Sequence, residues 1–201
     1  MLLRERAWEL VCEFVQDKGL RRHILSVGAA MRWYAGELGY DVDFWEAAGL
    51  LHDFDWEIHP NLNEHPMQGA PILRARGWDE EIIRVILSHY AEGTGVLPTK
   101  AVDFALLACD EITGLILATA LVRPNRNLLE VALPSVQKKW KNRQFAAGVD
   151  RDSVVKATED FSRIAFAGQL DLWTHVANVL TAMQTLAAEL GLDGSPAQPE
   201  G

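Results

Sequence analysis

Six side chains in this chain have the types and spacing to bind a metal: His23, His52, Asp53, His65, His89 and Asp110. Imidazole and carboxylate together suit divalent transition ions without any help from cysteine, and helical bundles build such sites from side chains on several facing helices. Three of the six also point inward by helical phase. His23 shares the stripe of Leu20, Ile24 and Val27, while His89 and Asp110 each follow two apolar residues by three and four positions. Burying an ionisable group without a partner costs on the order of several kcal/mol. One inward histidine is satisfied by a carbonyl, but imidazoles and carboxylates arriving from successive segments need a common partner. The chemistry that such a centre offers is hydrolysis by metal-activated water.

The elements that must position these residues are helices. Leu20, Ile24, Val27, Met31, Tyr34 and Leu38 step by three and four, with Gly39 as a C-terminal cap. A second helix is expected from an N-cap at Asp43 to the His52-Asp53 pair, and a third opens at His65-Pro66 with proline in its first turn. Because His65 directly precedes that proline, capping serves it as well as ligation, and its role decides between one ion and two. Asp79 caps a helix carrying Ile82, Val85, Ile86 and His89, and Pro98 starts a long one that holds Asp110 and stops at Pro124. Short patterns over 134–141, 152–166 and 169–190 complete the helices, and 192–201 read as a disordered tail. His59 lies in a polar loop and His175 falls off the stripe of Leu170, Trp173, Ala177 and Leu180, so neither joins the site.

Composition narrows the function classes. The 201 residues carry 19 basic and 28 acidic side chains, a formal −9, which disfavours nucleic acid and anionic membranes as partners. No uninterrupted apolar run reaches the roughly 18 residues of a membrane span, and the first residues lack a secretory pattern, so a soluble cytoplasmic protein is expected. Cys12 and Cys109 sit in apolar helical patterns and read as reduced thiols. Seven tryptophans leave room for a homodimer. No phosphate-binding glycine loop, nucleophile elbow or paired-cysteine motif is present.

The order His23, then Leu-Leu-His52-Asp53-Phe-Asp, then His89, then Asp110 resembles the HD-domain phosphohydrolases over residues 20–122. Asp110-Glu-Ile-Thr-Gly, Leu121-Val-Arg-Pro and Ser135-Val-Gln-Lys-Lys resemble a bacterial subgroup of HD hydrolases. The resemblance implies an all-α, compact HD-domain bundle over 1–122 with its N-terminal helix, and a basic segment and C-terminal helices packed on it over 123–191. It also implies that His23, His52, Asp53 and Asp110 hold one ion, that Asp53 bridges to a second held by His65 and His89, and that Asp53 and His52 are the catalytic pair. Fe, Mn, Co, Ni and Zn all suit that set. Many relatives carry glycine and lysine just after the His-Asp pair; Phe54-Asp55-Trp56-Glu57 stand here, so a cyclic-dinucleotide substrate is not implied.

The function expected is hydrolysis of a small phosphate ester or nucleotide. A di-iron oxygenase with the same ligands and a non-catalytic metal- or nucleotide-binding signalling module are the alternatives. Residues 123–143 hold six basic side chains against Glu130, a local +5 in a chain of −9, and Arg123 and Lys139 are the expected contacts to substrate phosphate.

Overall fold

The apolar periods become helices in the structure, a computed structural model that describes residues 2–195. In chain order these are α1 (Leu3–Phe14), α2 (Lys18–Leu38), α3 (Val42–Leu51), α4 (Gly69–Ala75), α5 (Glu80–Ser88), α6 (Ala91–Thr94), α7 (Ala101–Leu121), α8 (Leu133–Trp140), α9 (Arg151–Ala165) and α10 (Leu172–Gln184). No strand occurs among the described residues, so the all-α bundle expected from the sequence is the architecture observed. One hydrophobic core runs through it, from Ala7 and Leu10 on α1 to Leu190 and Leu192 near the end. By length and composition α7 could cross a membrane, yet it is mostly buried as the central helix of the bundle.

Local chemistry sets the helix ends. Asp17 caps α2 by accepting the Leu20 N–H at 2.7 Å, and Gly39 closes it with φ 73°, a left-handed conformation that glycine adopts without a Cβ penalty. Asp41, not Asp43, caps α3, because its carboxylate accepts the Asp43 and Phe44 amides. The third expected helix starts at Gly69 rather than at Pro66; residues 60–68 form turns, in which Gln68 N–H donates to the Glu64 carbonyl. The start of α7 moves from Pro98 to Ala101, since Asp103 reaches back to accept the Thr99 and Lys100 amides and pairs with Arg84 at 2.7 Å.

Two corrections concern the C-terminal part. His175 belongs to the buried stripe of α10 with Val176, Val179, Leu180 and Met183, and is itself fully buried. Its Nε2–H donates to the Ala108 carbonyl at 2.8 Å and its Nδ1 accepts the Tyr34 hydroxyl at 2.6 Å, which ties α10 to α7 and α2. Burial, only partly opposed by the Ala108 bond, lowers its pKa to about 4 and keeps it neutral. The expected tail also begins too early at 192. Leu192 is buried and its carbonyl accepts the Leu128 N–H at 2.7 Å, while residues 196–201 lie outside the described ones.

Two glycines let α2 and α3, which carry His23 and lead into His52, approach closely. A Cβ on Gly49 would stand 3.0 Å from the Gly28 Cα and 2.9 Å from Met31 Cγ, and one on Gly28 would stand 2.9 Å from Leu50 Cδ2. Overpacking there must move backbone. Gly49→Ala is therefore expected to destabilise the protein by about 1–3 kcal/mol and to weaken metal binding by separating the helices. Urea unfolding and metal titration check both, and unchanged metal affinity would show that the glycine contact does not set the site.

Candidate metal centre

Five of the six expected ligand residues lie at or next to a helix boundary or on an inward helix face, and His65 lies in a turn. His52 is the C-terminal cap of α3 with Asp53 in the turn that follows, and His89 is the C-terminal cap of α5. His23 projects from α2, Asp110 from the middle of α7, and His65 from the turns before α4. The structure brings all six together in two groups, His23 with His52 and Asp110, and Asp53 with His65 and His89.

Distances within the groups are those of neighbouring ligands on one ion. His23 Nε2 stands 3.2 Å from His52 Nε2 and 3.0 Å from Asp110 Oδ1, which is itself 3.5 Å from His52 Nε2. In the second group His65 Nε2 stands 3.1 Å from His89 Nε2 and 3.2 Å from Asp53 Oδ1, and His89 Nε2 is 3.8 Å from the same oxygen. With metal–ligand bonds of about 2.1 Å, adjacent ligands fall about 3.0–3.4 Å apart in octahedral or tetrahedral geometry. Asp53 faces both groups. Its Oδ2 lies 3.4 Å from His52 Nε2 and 3.6 Å from His23 Nε2, while its Oδ1 serves the other pair. The donor set fits two divalent ions sharing one carboxylate.

Each ring is held by its other nitrogen. His52 Nδ1–H donates to the Gly49 carbonyl at 2.7 Å, and His89 Nδ1–H to the Ile86 carbonyl. The Thr113 hydroxyl gives its proton to the Asp110 carbonyl at 2.7 Å, so its oxygen accepts from His23 Nδ1–H at 3.1 Å. His65 Nδ1–H donates to Asp55 Oδ1 at 2.8 Å. All four Nε2 lone pairs are thereby presented to the centre, since the partner of one ring nitrogen fixes the tautomer.

Asp55 is a site residue outside the expected ligand set. It is fully buried, its Oδ2 has no hydrogen-bond partner, and Gly69 makes room for it, for a Cβ there would stand 2.6 Å from its Cγ. The signal available in the sequence was its spacing of two from Asp53 beside an apolar Phe54. Arg123 and Lys139, the expected phosphate contacts, have other partners. Arg123 lies thirteen positions beyond Asp110, about 20 Å along the helix direction, and pairs with Glu130 at 3.0 Å. The Lys139 ammonium sits over the Phe145 ring, 4.3 Å from its centroid.

The buried charges reinforce one another. Burial pulls the His52 pKa down, but Asp53 and Asp110 outweigh it and raise it from 6.5 to about 9. Burial of His65 is likewise outweighed by Asp53 and Asp55, which raise it to about 9. Burial alone would raise Asp53 and Asp110, yet the surrounding imidazoles hold both below the usual carboxylate range. His89, where desolvation dominates, is lowered.

Residues 20–113 match the HD domain family, just under half of the chain. The chain is 28% identical over 154 residues to ribonuclease Y of Desulfotalea psychrophila, a match covering 74% of this chain and 27% of that protein. It is 33% identical over 99 residues to ribonuclease Y of Nitratidesulfovibrio vulgaris, covering 49% and 18% of the two chains. Against ribonuclease Y of Pseudothermotoga lettingae it is 38% identical over 77 residues, covering 38% and 15%. The chain thus spans 27% or less of the length of these relatives. No solved structure matches it.

Two outcomes follow from this electrostatic arrangement. Replacing Asp55 by Asn removes the carboxylate that orients His65 and is expected to weaken binding of the second ion about 10–100-fold while the first is retained, read by metal titration. In the metal-free protein, the raised His52 and His65 stabilise the fold fully below pH 6.5 and lose that contribution as pH climbs to about 9. The lowered Asp53 and Asp110 contribute above 3.8 and lose their share as pH falls. Urea unfolding with a chelator should show stability declining between about pH 6.5 and 9, and added metal should abolish the decline. A flat profile in the chelated protein would refute the charge pairing.

Proposed function

We propose, for a chain that belongs to the HD-domain family through residues 20–113, a metal-dependent phosphohydrolase acting on a small phosphate ester or nucleotide. The observation that carries this reading is Asp53, whose two oxygens face separate triads. His23, His52 and Asp110 would hold one divalent ion, His65 and His89 the other, and Asp53 both. Such ions, when bound, lower the pKa of water and polarise phosphoryl oxygens.

The chain's own residues prepare the reaction in three ways. The Nδ1 bonds fix four imidazoles so that no ring must rotate to bind, which reduces the reorganisation left for catalysis. Asp53 and Asp110 remain ionised and keep the centre from repelling cations. The cleft beside His89 and Asp110, walled on its far side by α9, gives substrate and water a way to these two ligands. In the net reaction water adds its oxygen to phosphorus, the bond from phosphorus to the leaving oxygen breaks, and one proton passes to that oxygen.

The relatives are named ribonucleases, so their chemistry is cleavage of RNA phosphodiesters, while this chain matches only a fraction of their length. A net charge of −9 supports a small substrate in the cytoplasm over a nucleic acid.

The test is phosphate release from nucleotides and phosphate esters, with Mn, Fe, Co, Ni, Zn and Mg supplied separately and an RNA oligonucleotide included. Wild type should turn over at least one small ester, and Asp53→Ala should lose about a thousandfold or more, the equivalent of several kcal/mol of charge stabilisation. Cleavage of the oligonucleotide alone would move the substrate to RNA. Silence with metal bound would favour oxygen chemistry or a sensing role.

A further inference from the structure

Beside the centre opens a cleft of about 310 Å³ that touches one ligand from each triad, His89 and Asp110. Its opposite wall is α9, which contributes Ser153, Lys156 and Asp160. That helix lies outside residues 20–113, so half of the cleft comes from a part of the chain that the family match does not include.

Specific contacts build this wall. Glu111, next to the ligand Asp110, accepts the Asp150 N–H at 2.6 Å, and Asp150 is the N-cap of α9. The first turn of α9 is therefore tied to the residue that follows a ligand. Lys156 is the single Lys or Arg side chain lining the cleft, and its Nζ pairs with Asp160 Oδ2 at 2.6 Å. The other oxygen, Asp160 Oδ1, is held by Arg163 at 2.7 Å. Asp160 thus keeps a cation when Lys156 turns away, so the ammonium can change partners at little cost.

We infer that α9 closes the substrate subsite of this centre and that Lys156 leaves Asp160 to bind a phosphoryl oxygen of a small phosphate monoester no larger than a mononucleotide. A volume of about 310 Å³ stands at the lower end of ligand clefts, which run from about 300 to 1,000 Å³. A terminal phosphate carries up to two negative charges where a phosphodiester carries one, and an added ammonium favours the former. The inference rests on the phosphohydrolase reading and adds to it the residue that selects monoesters.

The experiment uses the full chain loaded with manganese. Binding of inorganic phosphate is measured by calorimetry, and KM and kcat are measured on p-nitrophenyl phosphate, on a nucleoside monophosphate and on bis(p-nitrophenyl) phosphate. Lys156→Ala should weaken phosphate binding and raise KM for both monoesters about tenfold, the worth of one charge-assisted hydrogen bond, with bound manganese unchanged. The diester should respond less than about threefold, and Lys156→Arg should recover most of the loss. Unaltered phosphate binding and KM in Lys156→Ala, alongside an active wild type, would overturn the inference and leave the hydrolase reading standing. A wild type that binds manganese but neither binds phosphate nor hydrolyses any ester overturns that reading and this inference with it.

Discussion

Four imidazole nitrogens facing one another at 3.1 and 3.2 Å are the constraint on which the rest of the structure depends. Two lone pairs at that separation repel unless a proton or a cation lies between them, and two imidazolium rings repel more strongly. The rings stay because each is anchored behind, by the Gly49 and Ile86 carbonyls, the Thr113 hydroxyl and the Asp55 carboxylate. The protein thus holds its donors in place before any ligand arrives.

The anchors explain several features that packing alone would not require. The Gly28 and Gly49 contact lets α2 and α3 approach until His23 meets His52, and the carbonyl of the same Gly49 holds His52. Gly69 makes room for Asp55, and Thr113 sits one turn beyond Asp110 to serve both that residue and His23. Apolar surroundings from α5 and α7 raise the stakes, because each anchored group has given up water. His175 shows the contrast: a buried histidine satisfied by one hydroxyl and one carbonyl stays neutral and has no further role at the site.

Much of this was legible in the sequence because helical phase is local. The inward positions of His23, His89 and Asp110 follow from steps of three and four, and their convergence from the resemblance carried by His52-Asp53. What could not be read depends on contacts between distant segments. The role of Asp55 depends on the turns of residues 60–68, which bring His65 onto it. Local charge singles out Arg123 and Lys139, but it does not say which partners they meet, Glu130 and Phe145. The phase of α10 was set by His175 with its partners on α2 and α7, so a stripe drawn through Trp173 and Ala177 missed it. The start of α7 was misplaced because Asp103 supplies the cap from inside the helix.

The two groups differ in charge, and the difference explains where Asp55 stands. The first group has Asp110 to itself, whereas the second shares only one oxygen of Asp53. Neutral anchors suffice behind His23 and His52, but the group poorer in carboxylate has a buried carboxylate behind His65. Two divalent ions would bring four positive charges, and Asp53, Asp110 and Asp55 would offset three of them. One positive charge would remain on the two ions and these three carboxylates, beside a cleft walled by α9, and a low surrounding dielectric would amplify it. That excess suits an anion better than a neutral substrate, and it draws on fixed side chains whose positions do not depend on the anion being present.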